Sequence, residues 1–180
     1  AALYKALVDK GITPDVTAGL SLGEYGALIA SGAMTMEDAF GVVRKRGIYM
    51  QEAVPTGGAM TAVLGLDPEK IEEICKETAQ KESAVVSIAN YNCPGQIVIT
   101  GQKDAVDKAA AACSEAGAKR AVPLKVSGPF HSKMLEGAGE KLGEALKNVE
   151  IHDIKVPYIT NVTADYVASK DDVKDYLKRQ

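Results

Sequence analysis

The sequence has no tryptophan, only two phenylalanines, three cysteines and two histidines, and each scarcity excludes a class of protein. Cys75, Cys93 and Cys113 form no CxxC pair and leave one thiol over, so neither a disulfide framework nor a structural zinc site is expected. That cysteine usage points to a reducing, cytoplasmic setting. No apolar run approaches the ~18 residues of a membrane span, and no charged-then-apolar leader with a small-residue cleavage site opens the chain, so no membrane association is expected. Neither sign of charge dominates: 21 Lys and Arg stand against 24 Asp and Glu, for a net charge of −3. No bulk cationic field is therefore available for nucleic acid. What is present is ordinary globular composition, 46% hydrophobic and 25% charged over 180 residues, enough for one sizeable core or two small ones.

The chain opens on Ala1, without an initiating Met, inside what reads as a helix with Leu3, Leu7 and Val8 as its apolar stripe. It is expected to be a piece of something longer. Gly11 and Pro14 end that helix, and a short strand is predicted over Asp15 to Leu20, followed by a helix from Leu22 to about Ser31. Thr35, with Asp38 three residues on, reads as a capping box for a long helix to about Val54. Beyond the break at Pro55 to Gly58 the pattern changes. Strands are predicted over Ala59 to Leu64, Ala84 to Tyr91, Gln96 to Thr100 and Ala121 to Val126, with helices over Pro68 to Gln80 and Asp104 to Ala116. This is a β-α-β-β-α-β order with Asn92 to Gly95 as its central turn, the order of a ferredoxin-like unit. Ser132 then caps a helix to about Lys147, a strand follows over Val156 to Ile159, and a charged helix runs from Asp171 to Gln180. The expected class is α/β, with a parallel-sheet body from residues 1–56 and 127–180 and an inserted ferredoxin-like small domain over 57–126.

Gly19-Leu20-Ser21-Leu22-Gly23 has the GxSxG pattern of a nucleophile elbow, between a strand and a helix as that motif requires. The glycines allow the turn, Ser21 is pushed out at the strand's carboxyl end, and the N–H of Leu22 points at an oxyanion. The alternative is a plain strand-to-helix turn. A serine hydroxyl needs a base. His131, after a strand and before a capped helix, belongs at the carboxyl edge where α/β sites gather, while His152 sits between Glu150 and Asp153 in a charged connector and reads as solvated. For His131 the alternative is a hydrogen-bonded turn residue.

On the long helix, Ala39, Val43, Arg46 and Met50 share one face, which sets a guanidinium among apolar neighbours. It stays charged and needs an anion, either a ligand carboxylate held by its planar fork or Glu24 on the preceding helix. Both stay open at this level. Glu24 is also favoured by the dipole of its own helix. Arg44, Lys45, Lys119 and Arg120 read as solvated faces, and Cys93 as a packing residue.

Gly19 to Tyr25, Arg46-Gly47 with Met50 to Pro55, Asn92-Cys93-Pro94-Gly95-Gln96, and Phe130-His131-Ser132 together resemble the malonyl-CoA:acyl carrier protein transacylase family. The resemblance runs over essentially the whole chain. It implies a hydrolase-like body with the inserted ferredoxin-like domain, and malonyl transfer from coenzyme A to acyl carrier protein for fatty acid or polyketide synthesis. Ser21 would be the nucleophile, His131 the base, Arg46 the clamp on the malonyl carboxylate and Leu22 an oxyanion donor. Phe130 would narrow the acyl space, and the backbone carbonyl of Gln180 would orient His131. No cofactor or metal is implied, since the coenzyme A thioester is itself a substrate. Leu20 stands where many family members have histidine. The family's N-terminal loop with the second oxyanion donor, its first core strand and its last segment have no counterpart, so the 180-residue chain alone is expected to be weak or inactive. A serine esterase or thioesterase of the α/β-hydrolase kind, and a noncatalytic carrier-protein-binding module, are the competing readings.

Overall fold

A computed structural model describes every residue of the chain except Ser127, on which the expected return to the body falls. The order is α1 (Ala2–Val8), β1 (Thr17–Ala18), α2 (Gly23–Ser31), α3 (Met36–Ala53), β2 (Gly58–Leu64), α4 (Pro68–Glu82), β3 (Val86–Cys93), β4 (Gln96–Gln102), α5 (Lys103–Glu115), β5 (Arg120–Pro123), α6 (Glu136–Leu146), β6 (Tyr158–Ile159) and α7 (Val173–Arg179). The fold is mixed α/β, with a two-stranded parallel sheet, β1-β6, and a four-stranded antiparallel sheet, β3-β4-β2-β5. The chain divides into two compact units, Ala1–Tyr49 with Gly139–Gln180, and Met50–Ala138. Among the described residues no helix is long and apolar enough to cross a membrane.

In the first unit, β1 and β6 pair in the register Thr17 with Tyr158 and Ala18 with Ile159. Tyr25, Leu28, Ala39, Val42, Leu142, Leu146, Tyr158, Val173 and Leu177 make the core. Each fully buried Leu there contributes about 1.5–3 kcal/mol relative to exposure. Half of the capping box forms: the Asp38 N–H donates to Thr35 Oγ1 at 3.1 Å, while the Asp38 carboxylate accepts from that hydroxyl, at 2.6 Å, in place of the Thr35 N–H. Three expectations fail in this unit. The strand predicted over Asp15 to Leu20 shrinks to Thr17–Ala18 and the one over Val156 to Ile159 to Tyr158–Ile159, because the two pair only with each other and over two residues. The predicted stripe of α1 covers nothing: Leu3 is 83% exposed, and Leu7 and Val8 are exposed as well.

In the second unit, β2 lies between β4 and β5 and is buried on both faces, which explains its nearly unbroken apolar run. One face packs Val63, Ile97 and Ile99 against Ile71, Ile74 and Cys75 of α4 and Ala105, Val106, Ala109 and Cys113 of α5. The other carries Met60, Ala62 and Val98. β5 stops at Pro123 rather than Val126: the Leu124 N–H makes one further bond to the Met60 carbonyl of β2, and the Val126 N–H then turns back to the Leu124 carbonyl. Asn92 and Cys93 are strand residues of β3, so the turn contracts to Pro94-Gly95 and Cys93 is exposed instead of packed. The Ser132-capped helix starts as a 3-10 turn, Lys133–Leu135, before α6.

Candidate active site

Ser21 sits between β1 and α2 with φ of +50°. Left-handed backbone costs a non-glycine residue roughly 1–2 kcal/mol, so neighbouring bonds must hold it there. Its N–H donates to the side-chain oxygen of Asn161 at 2.7 Å. The Gly23 N–H donates to the Leu20 carbonyl at 2.8 Å and the Glu24 N–H to the Ser21 carbonyl at 3.1 Å, closing the turn into the helix. α2 begins at Gly23, one residue later than expected, and Leu22 is its N-cap in helical conformation. The two glycines of the motif differ in kind. A Cβ on Gly19 would collide with the backbone of Gly23 and Glu24, whereas one on Gly23 would meet nothing within 4 Å. Only the first glycine is sterically required.

Arg46 projects from α3 and is half-buried. Its Nη2 donates to Ser21 Oγ and to Gln180 Oε1, each at 3.0 Å. The amide nitrogen of Gln180 in turn donates to Glu24 Oε2. Glu24 is fully buried, and its other oxygen, Oε1, accepts from the Tyr158 hydroxyl, from Thr160 Oγ1 at 2.8 Å and from the Asn161 N–H at 3.2 Å. The direct Arg46–Glu24 pair that the sequence left open is not formed; the two charges are joined through the Gln180 amide instead.

Burial pulls the Arg46 guanidinium below its ordinary value, opposed by Tyr25 and Glu24, yet so strong a base stays charged. Tyr25 lies in the same environment. Burial pushes its phenol up to about 12, with Arg46 lowering and Glu24 raising it, and its buried hydroxyl has no hydrogen-bond partner among the described residues. Tyr158 rises further, through burial and its bond to Glu24. Sequence reasoning missed Tyr158, Thr160 and Asn161. The signal that could have found them is their place at the end of β6, the partner of the strand that leads to Ser21.

Of the residues nominated from sequence, Ser21, Leu22, Arg46 and Gln180 fall in the first unit, and Phe130 and His131 in the second. His131 also has positive φ, +58°, and so sits in a constrained turn. The Ser132 hydroxyl donates to the Pro129 carbonyl at 2.8 Å and accepts from the Met134 N–H at 3.3 Å, pinning the residues on both sides of it. Phe130 packs against Met60, Ala62 and Val98. His152 lies in a connector, 3.6 Å from Glu150, with its side chain 39% exposed. No group of three His, Cys, Asp or Glu side chains among the described residues could hold a metal ion.

The family described as the acyl transferase domain matches residues 1–180. The chain is 50% identical over 180 residues to the malonyl CoA-acyl carrier protein transacylase of Bacillus subtilis, spanning 99% of this chain and 56% of that protein. It is 45% identical over 181 residues to the Escherichia coli K12 protein of the same name, of which it spans 58%. The chain thus extends over less than two thirds of these relatives. Among solved structures, the Streptococcus pneumoniae MCAT superposes with a TM-score of 0.93 at 50% identity, covering 99% of this chain and 58% of that one. A malonyl-transacylase in complex with a type II PKS acyl-carrier protein superposes with a TM-score of 0.94 at 43% identity, over 99% and 58% of the two chains.

Proposed function

We propose, since this chain belongs to the acyl transferase domain family, that the protein carries malonyl groups from coenzyme A to the phosphopantetheine thiol of acyl carrier protein. The observation that carries this reading is the 3.0 Å contact between the Ser21 hydroxyl and Arg46. It sets a carboxylate-binding cation beside a nucleophile on a strained turn. An acyl group that ends in a carboxylate and is attacked at its other carbonyl fits that pair.

In the first half-reaction His131 takes the proton of Ser21 Oγ as that oxygen attacks the malonyl thioester. Negative charge on the former carbonyl oxygen is met by the Leu22 N–H at the start of α2. The C–S bond breaks, and the coenzyme A sulfur leaves with the proton from His131. In the second half the carrier thiol gives its proton to His131 as its sulfur attacks the serine ester, and the C–Oγ bond breaks with that proton passing from His131 to Ser21 Oγ. Arg46 holds the malonyl carboxylate throughout, Phe130 limits the width of the acyl group, and the backbone carbonyl of Gln180 holds the imidazole. The reading requires no cofactor or metal beyond the thioester substrate, and neither nucleic acid nor a membrane. It places the reaction in the cytoplasm.

The same reading assigns residues 1–56 and 127–180 to a hydrolase-like body and 57–126 to an inserted ferredoxin-like domain. The sheet order β3-β4-β2-β5, with α4 and α5 between its strands in sequence, supports the second assignment.

Mass spectrometry of the full-length protein after incubation with malonyl-CoA tests the function. A malonyl adduct on the Ser21 peptide that a carrier thiol discharges supports transfer. Rapid release of free malonate indicates a hydrolase, and absence of any adduct indicates a binding module.

A further inference from the structure

Arg46 and Glu24 are opposite charges in one buried network, and yet they do not touch. Between them stands the neutral amide of Gln180, whose oxygen accepts from Arg46 at 3.0 Å and whose nitrogen donates to Glu24. Elementary chemistry fixes which way this amide faces: a guanidinium can only donate and a carboxylate can only accept, so the amide oxygen must meet Arg46 and the amide nitrogen must meet Glu24. Glu24 cannot turn away from its place, because Tyr158, Thr160 and the Asn161 N–H hold its other oxygen. The network is therefore anchored at one end and directed at the other.

We infer that the Gln180 side chain is a spacer that aims Arg46 at Ser21 while denying it to Glu24, and so sets selectivity for acyl groups that end in a carboxylate. This inference rests on the malonyl-transfer reading. A carboxylate in direct contact with Arg46 would occupy the same planar fork that a substrate carboxylate needs, through charge-assisted bonds about twice as strong as those to a neutral oxygen. The amide oxygen fixes the direction of one guanidinium nitrogen without neutralising the cation. Glu24 and Gln180 are thus positioning residues that act through Arg46, and this side-chain role is separate from that of the Gln180 backbone carbonyl.

The test uses the full-length protein and the ratio of kcat/KM for malonyl-CoA to that for acetyl-CoA. Gln180→Ala keeps the backbone carbonyl and removes the spacer. The expected result is a fall of about tenfold or more in that ratio, carried by a KM that rises more for malonyl-CoA than for acetyl-CoA. Adding Glu24→Gln to Gln180→Ala takes away the competing anion and is expected to restore part of the lost preference. Gln180→Glu, which brings a carboxylate to Arg46 and replaces the donor to Glu24 with an oxygen, is expected to lower the ratio further than Gln180→Ala; it carries the test alone should the Glu24 variant fail to fold.

An unchanged ratio in Gln180→Ala and Gln180→Glu overturns the inference. So does an equal fall in kcat for both substrates, which would mean that only the imidazole had been disturbed. A wild-type protein that forms no malonyl adduct on Ser21 sinks the functional reading itself. A wild type that malonylates and discriminates, with variants that discriminate equally well, sinks only the spacer.

Discussion

Arg46 donates a hydrogen bond to the Ser21 hydroxyl oxygen at 3.0 Å across a sequence separation of 25 residues. Because a guanidinium has no acceptor, the serine oxygen is the acceptor here and its own proton is directed elsewhere. The contact therefore leaves that proton available to a base while it holds the oxygen in place. On the proposed malonyl-transfer reading, a substrate carboxylate that takes Arg46 for itself would also release Ser21.

Arg46→Ala should abolish most discrimination between malonyl-CoA and acetyl-CoA. Leaving one partner of a buried pair costs roughly 3–5 kcal/mol, so the preference should fall by about 10²-fold or more. Arg46→Lys should recover only part of it, since an ammonium cannot present the two parallel donors of the guanidinium. A competition assay with both thioesters reads the ratio, and retention of full preference by Arg46→Ala would rule out the clamp.

Asn161→Ala should slow acylation of Ser21 by about tenfold without changing the malonyl-to-acetyl ratio. Its side-chain oxygen accepts the Ser21 N–H at 2.7 Å, and losing one such bond, worth roughly 1–1.5 kcal/mol, loosens a turn held at positive φ. Single-turnover acylation rates with the two thioesters check this; a change confined to the ratio would contradict it.

The two glycines of the elbow should respond differently to alanine. Gly19→Ala forces a Cβ into the backbone of Gly23 and Glu24 and should cost about 3 kcal/mol or more, seen as a lower Tm or loss of the soluble fold. Gly23→Ala adds a methyl where nothing lies within 4 Å, and should change stability by no more than about 1 kcal/mol. Similar melting temperatures for the two variants would be evidence against this turn geometry.

Among the three thiols, a maleimide at about pH 8 should label Cys93 alone in the native protein, because Cys93 is exposed while Cys75 and Cys113 are buried. Burial, with smaller contributions from Cys113 and Glu72, pushes the Cys75 thiol from 9.0 up to about 12. In the pH window between those values the unfolded chain ionises Cys75 and the folded one does not. This thiol should therefore leave stability unchanged below about pH 9 and erode it as pH rises towards 12. Denaturant midpoints measured across that range should fall less steeply in Cys75→Ala than in the wild type.

Local rules made much of the fold readable. The capping box at Thr35, the apolar face of α3 that carries Arg46, and the strand and helix order from Gly58 to Pro123 each depend on neighbours a few residues apart. The strand ends did not follow from those rules. β1 and β6 are each only as long as the other, and β5 ends where the chain turns and the Val126 N–H bonds back to Leu124. Cys93 looked like a packing residue from its surroundings in sequence, but the extension of β3 places it at an exposed strand end.

For the site, sequence alone nominated the groups proposed to carry the chemistry: a serine in a strand-to-helix turn, a histidine before a capped helix, and an arginine on an apolar helix face. Motif spacing and side-chain type are properties of a short stretch of chain. Only the tertiary structure decided what Arg46 binds. Glu24 and Arg46 are 22 positions apart in the sequence, and a residue 134 positions beyond Arg46 separates their charges. Periodicity can place a charge on a buried face, but it cannot name its partner, because that choice is made by distant segments competing for the same few donors and acceptors in a space without water.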